Sequence, residues 1–280
     1  MPYSDIQLAT AFIQTGELDD ALDALNRHLA SAPQDADALR LRAAILMRMD
    51  NMDALNAALT NLESIDAPHP DDYLHRATLL HRLHQPQAAI QTLSEAHQRF
   101  PDDERLLERL IQHLRDVGEL QQARALVERR SLADWRWRSW AGELAAAAKD
   151  TTAAIDHFSA AIEHIRARYA LDSNHPARLA DMMQMAVAGT LARLHLNRGS
   201  GYQQRGQWPE AAHDYALAAR MLPDDASITL KRGIIAWLDD DPQSAAAFCR
   251  EAFADVSENL RAILVAMLDD HPDLRDQLRL

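Results

Sequence analysis

The feature that most restricts the fold of this chain is the regular spacing of its small residues. Ala89 and Ala123 are separated by about 34 residues, Ala211 and Ala245 by the same interval, and Ala21 and Ala89 by twice that interval. A fixed period of this length is typical of an array of similar units, each of which contacts only its neighbours. We therefore predict a repeat array rather than a single globular core.

Each repeat is predicted to contain two helices joined by a tight corner. Between residues 196 and 225, small residues stand where two helices must touch, at Gly199, Ala211 and Ala218. Glycine accepts the left-handed conformation that reverses a chain at a helix end, and proline is tolerated in a first helical turn. The predicted corner glycines are Gly16, Gly118 and Gly206, and the prolines that begin second helices are Pro86, Pro209 and Pro242.

This pattern of small and large residues resembles the tetratricopeptide repeat, a helix-turn-helix unit of about 34 residues. The resemblance extends from about Ser4 to Ala252. It implies an all-α, right-handed α-solenoid of about seven repeats, with a C-terminal capping helix. We predict a single array with repeats at about 4–35, 36–69, 70–102, 103–130, 131–170, 190–225 and 226–257, and a cap at 258–280.

The period is interrupted once. The separation of Ala154 and Ala211 exceeds one period by roughly two thirds of a period. We predict an oversized helical hairpin, inserted at about 163–190, with a turn at 171–175 and a second long helix that begins at Pro176. Self-association through this hairpin, as a homodimeric regulatory or sensor subunit, is the alternative to a simple scaffold.

The resemblance also implies what such a chain does. Tetratricopeptide proteins line a concave groove with their first helices, and the groove binds a peptide or a partner's helix; as a class they are not enzymes. Members that clamp chaperone C-termini use a lysine and asparagine set, whereas this chain has only Lys149 and Lys231, so that activity is not expected. We predict a non-catalytic interaction or assembly scaffold without a cofactor.

Arginines dominate the residues that the repeat register places in this groove. Arginine pairs with carboxylates through two parallel hydrogen bonds, so an acidic segment or a free C-terminus is a predicted ligand. Ordinary solvated charges are the alternative interpretation. The predicted groove residues are Arg40, Met47, Arg82, Arg105, Gln112, Arg115, Arg136, Trp137, Trp140, Arg193, Ser200 and Gln203.

Trp137 and Trp140 belong to an aromatic cluster at 135–140 that has two interpretations. At 100° per residue its three tryptophans cannot share one helical face, so one is exposed unless other elements cover it. Exposed tryptophan beside arginine is typical of a binding hot spot. The alternative is that all three pack between repeats.

Composition and motifs argue against other classes of protein. The formal charge of -13 disfavours nucleic acid as a partner, and no run is apolar enough for a membrane span.

With Cys249 alone no internal disulfide forms, and a packed thiol is favoured over a nucleophile. The best histidine pair, His81 and His84, lacks further ligands at metal-binding spacing. The first residues show no signal-peptide pattern, so the cytoplasm is predicted.

Overall fold

A computed structural model describes residues 4–49, 51–169 and 185–278, and their regular structure is entirely helical. None of the helices in these ranges combines the length and the apolar character needed to cross a membrane. The helices are α1 (Asp5–Thr15), α2 (Leu18–Ser31), α3 (Ala36–Arg48), α4 (Met52–Glu63), α5 (Pro70–Arg82), α6 (Pro86–Arg99), α7 (Glu104–Asp116), α8 (Leu120–Glu128), α9 (Trp135–Ala147), α10 (Thr151–Tyr169), α11 (Met185–Gln204), α12 (Trp208–Met221), α13 (Ala226–Leu238), α14 (Pro242–Ala252), α15 (Glu258–Ala266) and α16 (Pro272–Leu278).

The corners between paired helices use a left-handed residue, as the glycine pattern predicts. Gly16, Gly118 and Gly206 have φ values of 85°, 84° and 70°. Glycine has no Cβ to clash in this conformation, so the chain reverses there without strain. The same conformation is adopted by a residue with a side chain in three other corners, at His84, Lys149 and Asp240.

Polar and proline residues begin many of the helices. Asp103 accepts a hydrogen bond from the backbone N–H of Arg105, and Asp225 accepts from those of Ser227 and Ile228. These carboxylates also favour the positive end of the helix dipole. The prolines predicted to begin second helices all lie in a first turn: Pro86, Pro209 and Pro242.

The chain divides into two compact units, and the first (unit 1) is Met1–Leu126. Within it, α1 packs on α2, α3 on α4 and α5 on α6, and each second helix also contacts the first helix of the next pair. Ala21 and Ala89, two of the alanines that define the period, are completely buried at these contacts. The small residues therefore lie where the helices approach most closely.

The second unit (unit 2) is Val127–Leu280 and follows the same arrangement. Here α9 packs on α10, α11 on α12 and α13 on α14. Leu264, Leu268 and Leu274 cover the last pair and join the core around Cys249. The capping segment contains two helices, since α16 follows the predicted helix; its seven residues are too few for a periodic pattern to reveal it.

The predicted hairpin is described only at its two ends. Helix α10 continues to Tyr169, within the predicted hairpin, and α11 ends at Gln204. The predicted turn at 171–175 and the helix start at Pro176 lie outside the described residues. Self-association through this segment stays a prediction.

Candidate binding cavity

In unit 1, two predicted groove arginines are paired with carboxylates from their own chain. Arg40 donates two hydrogen bonds of 2.9 Å to Asp72. Arg105 lies 2.6 Å from an oxygen of Asp71 and 2.8 Å from one of Asp103. Each arginine therefore bridges neighbouring repeats, and much of its charge is already neutralised.

The other predicted positions of unit 1 are also engaged. Arg82 donates to the backbone oxygen of Met47 at 2.9 Å, and the Met47 side chain packs against the core. Arg115 pairs with Asp116 at 3.0 Å, while Gln112 is half-buried. The arginines at these positions therefore already have partners within the chain.

Burial makes the Arg40–Asp72 pair more than a surface contact. The Asp72 side chain is 2% exposed, and this burial raises its pKa. Hydrogen bonds from Arg40 and from the backbone N–H of His69, together with the charge of Arg40, outweigh burial and hold the pKa below its usual value. The carboxylate therefore stays ionised because Arg40 is beside it.

The tryptophan cluster of unit 2 is mostly covered. Trp137 is 2% exposed, and the guanidinium of Arg130 lies 5.6 Å from the centroid of its ring. Trp140 is half-buried, as is Trp135, which packs against the core around Phe158. The geometry favours packing for Trp137, while a binding role for Trp140 stays a prediction.

The two predicted arginines of unit 2 have different surroundings. Arg136 pairs with Asp134, the residue that caps its own helix, at 2.8 Å. Arg193 is exposed on α11. An exposed guanidinium is well solvated and gains little from a partner.

Ser200 and Gln203, the last two predicted residues, are brought together by Tyr215. The Tyr215 hydroxyl donates to Gln203 Oε1 at 2.9 Å and lies 3.2 Å from Ser200 Oγ. Burial raises the pKa of Tyr215 to about 12, so the phenol remains a donor at neutral pH. Its ring reaches this place because Gly199 has no side chain: a Cβ there would lie 2.7 Å from a ring carbon.

These two residues open onto a cavity of about 450 Å³ in unit 2. It contains polar groups from α11, a lysine from α13 and two residues from the loop that precedes α16. Trp208 and Leu238 provide its large apolar surfaces. The cavity is lined by Ser200, Gln203, Gln204, Trp208, Lys231, Leu238, Asp270 and His271.

Comparison with known families agrees with this architecture. One model of the tetratricopeptide repeat (TPR) matches residues 6–60, 108–170 and 196–257, and a second TPR model matches 70–113. The matches cover well over half of the sequence. This chain belongs to the tetratricopeptide repeat family. The all-α TPR fold predicted from the sequence is thus confirmed, and the bounds of the individual repeats stay a prediction.

Solved TPR structures show the same fold at low sequence identity. A TPR protein from Parabacteroides merdae aligns with a TM-score of 0.62 and 16% identity, over 93% of this chain and 96% of its own. The C-terminal part of a TPR repeat-containing protein from Cytophaga hutchinsonii gives 0.58 and 12%, over 91% and 97%. No curated protein sequence matches significantly.

Lys231 is the charged helix residue of the cavity that was absent from the predicted groove set. Gly142 and Gly233 are equivalent, since each approaches a side chain of the second helix of its pair, Phe158 and Cys249. The predicted groove residue Trp140 lies two places before Gly142, and Lys231 lies two places before Gly233. Burial lowers the pKa of Lys231 below its ordinary value of 10.5. The repeat register could therefore have identified Lys231 from the sequence, whereas Asp270 and His271 lie in the cap, outside the repeats.

A buried charged network on another side of α11 holds this TPR pair together. Asp214 accepts from Arg198 at 2.7 and 2.8 Å, and His195 Nδ1 lies 2.7 Å from Asp214 Oδ1. Burial lowers the pKa of His195 and outweighs the attraction of Asp214, so the ring is neutral. A His–Asp pair can serve catalysis, but these side chains are 0% and 1% exposed and are committed to each other and to Arg198.

Other reactive side chains are packed or dispersed. Cys249 is fully buried, and burial raises the pKa of its thiol to about 11, which disfavours the nucleophilic thiolate. The ring of His81 lies 5.4 Å from that of His113, and His84 lies in the left-handed corner that follows α5. Across the described ranges, no three histidine, cysteine or acidic side chains are grouped as metal ligands.

Proposed function

We propose that this TPR chain is a non-catalytic interaction scaffold, and that the cavity of unit 2 binds a segment of a partner protein. TPR family membership supports the interaction role. The cavity is the observation that supports this location for the binding site. Its volume of about 450 Å³ exceeds that of one side chain, and three helices contribute to its lining.

Uncommitted polar groups support peptide recognition at this cavity. Gln203 uses its amide oxygen to accept from Tyr215, and its amide nitrogen has no partner among the described residues. The Gln204 amide oxygen accepts from Thr151 at 3.2 Å, which leaves its amide nitrogen as a further donor beside the cavity. An extended peptide presents a backbone N–H and C=O at every residue, so such side chains can fix its position.

The arginines contribute less to this proposal than the sequence indicated. Arg40, Arg105 and Arg136 each meet a carboxylate of their own chain. A ligand carboxylate would have to replace an existing partner at each of them. We therefore place the binding site at the cavity rather than along the arginines.

The proposal is tested by filling the cavity from its rim. Gln204 is exposed and lines the cavity, whereas its neighbour Arg205 is exposed and does not. The wild type is used to select ligands from an array of short random peptides blocked at both ends. Gln204→Trp should weaken binding of those peptides at least about tenfold, and Arg205→Trp should not.

Two results contradict the proposal. Peptides that bind wild type, Gln204→Trp and Arg205→Trp with equal affinity would place the site elsewhere. An array in which no peptide binds the wild type would argue against recognition of a short segment altogether. Melting temperatures of the three proteins show whether each variant is folded.

A further inference from the structure

Lys231 is a cation without a carboxylate partner in the described part of the chain. Its ammonium nitrogen lies 5.6 Å from the centroid of the Tyr215 ring, which is a cation–π contact. Among the described residues, neither Asp270 nor any other carboxylate forms an ion pair with it. The ammonium has lost part of its hydration without gaining an opposite charge, which costs free energy.

Two arginines of unit 2 show how a cation is usually paired. Arg198 has Asp214, and Arg275 has Asp269. Arg193 is exposed and remains solvated. Lys231 differs from both groups because it is partly removed from water and faces a cavity instead of an acid.

The other residues that line the cavity limit the charge and polarity of its ligand. Asp270 provides one negative charge on the rim, which repels a ligand that has many carboxylates. Trp208 and Leu238 offer apolar area, on which an apolar side chain is stabilised. One acidic group beside an apolar one matches this combination.

The position of the rim favours an internal residue of the partner over its chain end. Gln204 closes α11 and Asp270 lies in the loop before α16, and both are exposed. The cavity is therefore bordered by solvent at two separate elements. A bound main chain can continue past it while one side chain enters.

We propose that the cavity of unit 2 recognises a partner segment through a single Asp or Glu side chain, whose carboxylate pairs with Lys231 while a neighbouring apolar side chain packs on Trp208 and Leu238. This inference rests on the proposed function and specifies the chemistry of the same site. A bound carboxylate supplies the opposite charge that the chain itself does not provide. The pair is partly screened from water, which strengthens it.

The test compares three proteins on the same blocked peptide array. Peptides that bind the wild type should share one Asp or Glu next to an apolar residue. Lys231→Met keeps a similar length without the charge and should weaken binding of these peptides at least about tenfold. Lys231→Arg keeps the charge and should retain most of the affinity.

A double-mutant cycle isolates the pair. The acidic residue of a selected peptide is changed to its amide, and both peptides are measured against the wild type and Lys231→Met. The amide should lose affinity for the wild type and show little difference with Lys231→Met, which gives a coupling between the two groups. A melting temperature for Lys231→Met at or above that of the wild type excludes misfolding as the cause.

Several outcomes overturn the inference. Selected peptides without a shared acidic residue, or equal binding by Lys231→Met, would refute the carboxylate pairing while leaving peptide binding intact. Binding that appears only with unblocked peptide C-termini would show that a chain end, not a side chain, is recognised. Failure of every peptide to bind the wild type would refute the proposed function and this inference together.

Discussion

Arg40 and Lys231 both lie on first helices, yet only Arg40 meets a carboxylate of its own chain. Asp72, its partner, lies slightly less than one repeat further along the sequence. The pair ties α3 to α5 and keeps a buried carboxylate ionised. Removal of the charge should therefore change stability in opposite directions at these two residues.

Arg40→Met should destabilise the chain strongly. It leaves Asp72 buried without its cation, and loss of one partner of a buried pair costs about 3–5 kcal/mol. Arg105→Met is the matched control, because that pair is exposed to solvent and should contribute much less to stability. Urea unfolding measures both free energies, and equal losses would show that burial of Asp72 is unimportant.

Lys231→Met should stabilise the chain. Removal of a partly buried, unpaired charge is expected to raise the free energy of unfolding by about 0.5–2 kcal/mol. Its neighbour gives a control of opposite sign: Arg232 lies 4.0 Å from the ring centroid of Phe248, and Arg232→Met should lose about 0.5–1 kcal/mol of this contact. Thermal unfolding distinguishes the two. A lower melting temperature for Lys231→Met would argue that its charge is satisfied within the chain.

Helix pairing connects the repeat pattern to the cavity. Gly199 on α11 lets the ring of Tyr215 on α12 approach closely, and that ring holds Ser200 and Gln203 at the cavity. The equivalent glycine of the last repeat, Gly233, makes room for Cys249 in the same way. The small residues that define the period thus also determine where polar side chains are placed.

Gly199→Ala should therefore destabilise α11 and α12 although alanine favours helices. The added Cβ would lie 2.7 Å from Tyr215 and 3.2 Å from Asp214, and overpacking of this kind costs about 1–3 kcal/mol. Gly189 lies on the same helix, and a Cβ added there would meet nothing within 4 Å, so Gly189→Ala should stabilise by about 0.5–1 kcal/mol. Denaturant unfolding compares the two, and the same sign for both would contradict the contact.

Many corners between paired helices were predictable from the sequence. Corners at Gly16, Gly118 and Gly206 follow from the conformational freedom of glycine, which depends on local sterics alone. The corner at His84 carries no such signal, since its left-handed conformation is imposed by the helices on either side. Pairing of Ser200 and Gln203 with Tyr215 also needed the structure, because it depends on how α11 meets α12.

Each unit contains a buried histidine that links its stability to pH. Burial, with further repulsion from His81 and Arg109, lowers the pKa of His113 in unit 1. Burial also lowers the pKa of His195 in unit 2. Both folded-state values lie below 6.5, so in acid the unfolded chain binds protons that the folded chain does not.

Stability should therefore fall as the pH decreases below about 6.5 and be unaffected by these groups above it. The slope is at most about 1.4 kcal/mol per pH unit for each proton taken up on unfolding. Urea unfolding at pH 7.5 and 5.5 measures it. His113→Leu should reduce the loss, and the exposed substitution His75→Gln should follow the wild type. An unchanged loss in His113→Leu would show that His113 takes no part.

The sequence by itself determined the family, the helix pairs and most of their corners. Contacts in a repeat array are made between neighbours at a constant separation, so a fixed sequence period records them directly. Tertiary structure alone decided which charges find partners and where a cavity remains. Arg40 meets Asp72 in the next pair, whereas Lys231 faces a space bordered by cap residues outside the repeat pattern. No periodic signal encodes such contacts, because they occur once.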